Sequence, residues 1–296
     1  MQYKGISVII PVFNNAQRLE KALDALCRQE YPDSLYEIIV IDNGSDDGSP
    51  DIAQSFGNVT CLKETDYPNS PYSARNRGIE AANFEIVAFL DATCVPDRHW
   101  LSEAATCFPD KGADLVSGKT VFETSDKPDA GEIHDVLFNV NARDAAKKGW
   151  APCANLFVKK SLFEKYGKFE EGARSGEDYR LTRALTAGGG RLVYNDMARV
   201  FKPARNTRQV IAKQKRVARG QVGIWKKEGR VFSYLAKAIF RAVVPPNPAA
   251  VYRAIRLRGQ PWMYKKFVKI YVFRYYILIL MTLENLKILL GTTDKK

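Results

Sequence analysis

Residues 86–96 read IVAFLDATCVP: an apolar run stops on a carboxylate, Asp91, and small and polar residues lead on to a proline. An unbroken apolar run of this length suits a strand buried on both faces, as in parallel sheets covered by helices. Such a strand delivers Asp91 to its carboxyl end, the edge where open α/β sheets bind ligands. Two residues on stands Thr93. A metal site built on Asp91 would lack a second carboxylate at that position.

The same pattern recurs. Residues 6–11 (ISVIIP) and 37–41 (EIIVI) are further buried strands, and 59–62 is a short one. Between them Leu19, Ala22, Leu23 and Leu26 recur at helical spacing, and residues 50–56 and 73–82 read as helices. Strand and helix alternate at βαβ lengths, which predicts a mostly parallel α/β sheet. Beyond residue 96 the expectation is looser. Helices are expected at 100–107, 132–147 and 177–187, and strands at 115–121, 154–159, 191–194 and 199–201.

Three polar clusters follow the strands: Pro11-Val12-Phe13-Asn14-Asn15, then residues 42–49 (DNGSDDGS), then Asp91-Ala92-Thr93. Parallel strands bring all three to one sheet edge. Asp accepts hydrogen bonds from a nucleobase or ribose, and Asn both donates and accepts. Arg75 and Asn76 open the helix before Asp91, where a guanidinium suits a phosphate or a base carbonyl. Taken alone, residues 42–49 are equally a turn, and a lone Asp at a strand end is commonly a cap. Their coincidence on one edge favours a binding site.

In order and spacing, SVIIPVFNN, EIIVIDNGSDDGS, SARNRGIEAA and IVAFLDATCVP resemble family 2 glycosyltransferases of the GT-A fold. ANLFVKKSLFEKYGKFEE resembles the family's acceptor-side segment, and residues 175–181 (SGEDYRL) its Glu-Asp-x-x-Leu motif. The resemblance covers roughly residues 5–205. It implies a nucleotide-diphosphate-sugar donor and inversion at the anomeric carbon. It places Asp42, with Asn43 beside it, at the nucleobase or ribose, and Pro11, Phe13 and Asn14 in the wall of the nucleotide pocket. Arg75 falls near the base and ribose, and Asp91 is the first acid of the Asp-x-Asp motif. Asp178, with Glu177 beside it, is expected to be the catalytic base. A base there suits the chemistry, because inverting transfer needs a carboxylate to take the acceptor hydroxyl's proton.

Two positions depart from the family pattern. Thr93 replaces the acid that usually ligates Mg²⁺ or Mn²⁺, and Lys202 stands where a histidine is common. Metal-independent transfer, with Lys202 as a point charge on the diphosphate, is one expectation. Weak Mg²⁺ or Mn²⁺ binding by Asp91 with the substrate's phosphates is the other.

Charge is unevenly placed. The chain carries a net +12, but residues 202–296 hold 22 Lys and Arg against 3 Asp and Glu. Residues 1–205 are expected to form the donor-binding and catalytic domain, and 206–296 a basic helical region. Residues 264–290 mix aromatic and aliphatic side chains with charge, and their longest uncharged run, 275–283, falls well short of the ~20 residues that span a bilayer. Helices lying in an anionic membrane surface are expected, with a lipid-linked or glycolipid acceptor. Packing on the rest of the chain or on a second copy, as a homo-oligomer, is the alternative. Nucleic acid is not expected, because basic residues interleave with aliphatic stripes and no nucleic-acid motif appears. Five scattered cysteines without a CxxC pair, and no signal-like N-terminus, point to the cytoplasmic face. The rival readings are a non-catalytic nucleotide-sugar-binding module on the same fold and a dinucleotide oxidoreductase. The latter would need glycines after the first strand, where residues 11–15 have none.

Overall fold

The computed structural model describes residues 4–291; the ends of the chain, including residues 292–296 of the basic region, lie outside the described residues. The chain divides into two compact units, Met1–Val121 with Val140–Lys202, and Phe122–Asn139 with Pro203–Lys296.

The first unit is built on strands β1 (Ile6–Val12), β2 (Tyr36–Asp42), β3 (Val59–Lys63) and β4 (Ile86–Leu90). They lie side by side in the order β3-β2-β1-β4, all parallel, with Val12 level with Asp42 and Ile6 with Ile86. Helices α1 (Ala16–Leu26), α2 (Ser49–Ser55) and α3 (Pro71–Ala81) connect them. Side chains alternate across the sheet. Ile6, Val8 and Ile10 join Leu19, Leu23 and Leu26 of α1 in one core, while Ile9, Ile39 and Phe89 join Tyr72 and Ile79 of α3 in another. Both faces are therefore apolar, which explains runs without polar alternation.

Beyond β4 the sheet changes direction. A two-residue strand β5 (Val95–Pro96) and helix α4 (Trp100–Asp110) lead to β6 (Leu115–Glu123). Later come β7 (Asn155–Lys159) and a long β8 (Leu192–Pro203). β7 runs antiparallel to both β4 and β6, and β5 antiparallel to β8, completing the order β3-β2-β1-β4-β7-β6-β8-β5. The parallel half is thus confined to the first four strands. The two short strands expected at 191–194 and 199–201 are one continuous strand.

Residues 132–147 were expected to form one helix but form two, α5 (Ala130–Phe138) and α6 (Ala142–Ala146). Asn141 causes the break: its side chain accepts the Asp144 N–H and starts α6 afresh. Two further helices complete the first unit, α7 (Ser161–Tyr166) and α8 (Glu177–Ala187).

The second unit is helical. α9 (Thr207–Lys227) begins at a capping box made by Asn206 and Gln209. α10 (Val231–Val243), α11 (Pro248–Arg258) and α12 (Phe267–Leu289) follow. Its core joins Ile133 and Leu137 of α5 to Val251, Ile255, Met263 and Ile270. That apolar pairing draws residues 122–139 into this unit. Among the described residues no helix is long and apolar enough to cross a membrane. α12 has the length, but it buries Glu284 near Arg219 (3.5 Å), Lys287 (3.7 Å) and Lys215 (4.0 Å).

Candidate active site

The carboxyl ends of β1, β2 and β4 meet as expected, and the first two are laced together. Asn43 N–H donates to Val12 O at 2.9 Å, and Asn14 N–H to Ser45 Oγ at 3.0 Å. Asn14 Oδ1 accepts from Asp46 N–H, and Asp47 accepts from Ala16 N–H, both at 2.9 Å. Asn14 takes a left-handed backbone (φ 48°), a conformation Asn tolerates better than most residues. Pro11 is half-buried at the end of β1, and Phe13 is exposed beyond it. Asp42 is buried and accepts the Ser45 N–H at 3.1 Å, folding its loop back over the strand end. Asn43 is buried too, and its Oδ1 has no hydrogen-bond partner among the described residues. A buried acceptor left unpaired is costly, so this one suits a ligand donor.

Asp91 sits between two cations. Its Oδ1 accepts from Arg75 Nη2 at 2.9 Å and its Oδ2 from Lys202 Nζ at 2.8 Å. Arg75 and Lys202 are each only 5% exposed, whereas the Asp91 side chain is 30% exposed. The sheet explains the meeting. β8 lies antiparallel on β5 with Phe201 opposite Val95, so the next residue, Lys202, comes to the turn after β4. Cys94 N–H closes that turn on Asp91 O at 2.8 Å, with Thr93 half-buried inside it.

These residues do not fit a divalent metal held by the protein. Both Asp91 oxygens face cations, and Thr93 offers no carboxylate. Among the described residues no three His, Cys, Asp or Glu side chains gather at ligating range. Two buried cations on one carboxylate fit an anion instead.

Helix α3 carries the arrangement across to a second carboxylate. Tyr72, three residues before Arg75 and on the same face, donates its hydroxyl to Asp178 Oδ1 at 3.3 Å. The Arg75 guanidinium lies 5.4 Å from the Tyr72 ring centre. Burial, and then the neighbouring Asp178 charge, push the Tyr72 hydroxyl up in pKa, so it stays a donor. Burial likewise raises the Asp178 carboxyl above the ordinary aspartate range. The Tyr179 N–H, the Arg75 charge and the Tyr72 hydroxyl oppose that rise. Nearby, burial raises the Cys153 thiol and keeps it neutral.

Asp178 owes its place to the start of α8. Gly176 precedes it at φ 90°, a left-handed conformation that glycine adopts without strain. Glu177, beside it, does not join the cluster. It is buried and its carboxylate is occupied by Arg180 Nε at 2.7 Å and Glu170 N–H at 2.8 Å. The segment leading to α8 is seated on α3. Ser70 Oγ donates to Ala173 O at 2.6 Å, Gly172 N–H donates to Ser73 Oγ at 2.9 Å, and Asn76 Nδ2 donates to Phe169 O at 2.9 Å.

The sequence profile of glycosyl transferase family 2 matches residues 7–166. The chain belongs to that family. It is 36% identical over 276 residues to glycosyltransferase AglE of Haloferax volcanii, an alignment covering 90% of each chain. The mannosyltransferase PcManGT from Pyrobaculum calidifontis, solved with GDP-Man and Mn²⁺, superposes over all of this chain and 89% of its own, with TM-score 0.66 and 22% identity. TarS residues 1–349 of S. aureus, solved with UDP-GlcNAc, gives TM-score 0.59 at 17% identity over 97% of this chain and 92% of that one. This family 2 member therefore has the GT-A fold and is a glycosyltransferase that uses a nucleotide-sugar donor.

Tyr72 lies outside the motifs that the sequence of this family 2 glycosyltransferase displays. Its i,i+3 relation to Arg75 was the available signal, but nothing in the sequence shows that α3 reaches α8.

Proposed function

We propose that the chain transfers a single sugar, with inversion, from a nucleotide-diphosphate sugar to a lipid-linked acceptor at a membrane surface. Asp42 and the unpaired Asn43 Oδ1 receive the nucleoside. Lys202 and Arg75, held by Asp91, face the diphosphate. Asp178 takes the proton of the acceptor hydroxyl as that oxygen attacks C1 of the sugar. The bond from C1 to the diphosphate breaks, and its electron pair leaves with the nucleoside diphosphate. Lys202 and Arg75 stabilise that charge from positions fixed before the reaction begins. Glu177 holds the start of α8 through Arg180 and Glu170, a positioning role.

The observation that carries this reading is the Asp91–Arg75–Lys202 triad, connected through Tyr72 to Asp178. It sets two buried cations, suited to a phosphate, beside a carboxylate whose basicity burial has raised. The membrane acceptor rests on the basic, aromatic helices of residues 203–291.

A thermal-shift screen of nucleotide sugars tests the donor side, because a bound donor stabilises the fold by mass action. One or more nucleotide-diphosphate sugars should raise the melting temperature of the wild type and of Asp178→Asn. Only the wild type should then turn over that donor with a membrane-extracted acceptor. Equal turnover by both proteins would remove Asp178 from the mechanism.

A further inference from the structure

We propose that α10 is an in-plane anchor whose outer face inserts into the interfacial layer of an anionic bilayer. The inference rests on the membrane-surface reading above and names the element that does the binding.

A helix on the surface of a soluble fold turns its apolar stripe inward and its polar face outward. α10 does the reverse. It packs on its own unit through Tyr234, Ala238 and Ala242. The Tyr234 ring stacks on Trp225 at 5.7 Å, Ala238 O accepts the Thr282 hydroxyl at 3.0 Å, and Ala242 O accepts the Tyr275 hydroxyl at 2.8 Å. The opposite face carries Phe232, Ala236, Ile239, Phe240 and Val243 at helical spacing, and Val244 continues it. No residue of this helix is buried. Phe232 is 86% exposed, Val243 70% and Phe240 65%. These side chains form a shallow apolar groove with almost no polar wall. Hydrophobic surface of this kind on one continuous face calls for an occupant.

The surrounding charge selects the occupant. Lys237 and Arg241 lie one turn apart along the border of the apolar face, and Lys226, Lys227 and Arg230 precede the helix. Acids are almost absent from the chain beyond residue 201, with 3 against 22 basic residues. Two copies meeting through this face would bring like-charged borders together. Anionic lipid headgroups would neutralise the cations while the phenylalanines enter the acyl boundary. Insertion in the plane also agrees with the absence, among the described residues, of any helix able to span a bilayer.

The test is flotation of the full chain with vesicles of phosphatidylcholine alone or with 30% phosphatidylglycerol. The wild type should float with the anionic vesicles and less with neutral ones, and high salt should weaken its binding. Phe232→Ser with Phe240→Ser should reduce binding to anionic vesicles at least about tenfold, by removing two large inserted side chains. Because both positions are exposed, the variant should keep its melting temperature and its donor-induced thermal shift. A second variant, Phe240→Trp, should show blue-shifted emission and quenching by brominated lipid. Unchanged flotation of the double variant with an unquenched Phe240→Trp would overturn the role of α10 and leave the membrane reading standing. Failure of the wild type to float would overturn both. A dimer in sedimentation that the double variant dissolves, without lipid binding, would assign the face to a second copy and also overturn the proposal. Loss of the donor-induced shift in the wild type would count only against the glycosyl-transfer reading.

Discussion

Lys202 and Asp91 stand 111 residues apart in the chain and are joined by a 2.8 Å ion pair. Arg75 holds the other oxygen of the same carboxylate. Asp91 therefore acts less as a cation ligand than as the post on which two buried cations are fixed. Thr93 adds no negative charge in the turn after Asp91, and Lys202 brings a positive charge of the protein's own.

The first prediction concerns that pair. Wild-type turnover should persist in excess EDTA. Lys202→Ala should lower kcat on the order of a hundredfold, the scale of removing one fixed electrostatic donor from a developing charge. Thr93→Asp with Lys202→His should create an enzyme that EDTA inhibits and Mn²⁺ restores. Chelator-sensitive turnover in the wild type, restored by Mn²⁺, would sink the assignment of Lys202.

The second prediction follows from Tyr72 and Asp178. The base proposed at Asp178 would work only when ionised, so turnover should fall as pH drops through its pKa. Burial raises that pKa, so the acid limb should lie above the ordinary aspartate value. The Tyr72 hydroxyl favours the ionised form, and Tyr72→Phe should move the limb to higher pH while changing the donor's KM little. Asp178→Asn should cost about a hundred- to ten-thousandfold in kcat. A limb that stays fixed in Tyr72→Phe would mean that the 3.3 Å contact does not act on the base.

Much of this site was legible because parallel strands make position along the chain equivalent to position in space. A polar residue after Val12, Asp42 or Leu90 must emerge on one edge, and all three do. Lys202 was legible only as a departure from a family pattern. Its contact with Asp91 depends on a two-residue strand, Val95–Pro96, too short to leave a periodic signal. The pairing of Tyr72 with Asp178 crosses 106 residues and was invisible because no sequence pattern shows that α3 reaches α8. The outward apolar face of α10 was hidden differently. Periodicity reports that a helix has two faces, not which one meets the rest of the chain.

The third prediction concerns the seat of α3. A Cβ on Gly78 would lie 2.4 Å from Ile9 Cγ2, so the helix touches β1 only because that residue is glycine. Gly78→Ala should destabilise the protein by about 1–3 kcal/mol, the usual cost of overpacking a filled core. It should also lower turnover, because the same helix carries Tyr72 and Arg75. Gly57 has no neighbour within 4 Å of the equivalent atom and is the control. Gly57→Ala should leave both melting temperature and turnover nearly unchanged. Equal behaviour of the two variants in thermal denaturation would show that α3 has slack against β1.

The fourth prediction is a pH dependence of stability carried by His134 in the second unit. The imidazole is buried against Phe138 and Phe273, with its Nε2 3.4 Å from Arg274 Nη1. Burial first, then the charges of Arg274 and Lys213, lower its pKa from 6.5 to about 3, against the opposing pull of Asp135. Folded, His134 stays neutral until the pH nears 3, whereas unfolded it takes up a proton near 6.5. The unfolded state then binds more protons, so stability is complete above about pH 6.5 and is lost as pH falls toward 3. One proton sets a limiting slope of about 1.4 kcal/mol per pH unit. His134→Phe keeps an aromatic ring among aromatic neighbours and removes the titration. Urea midpoints of the two proteins between pH 7 and 5 isolate the effect, since most carboxylates remain ionised there. The wild type should lose more stability than His134→Phe over that interval, and parallel curves would show that His134 is protonated in the folded protein.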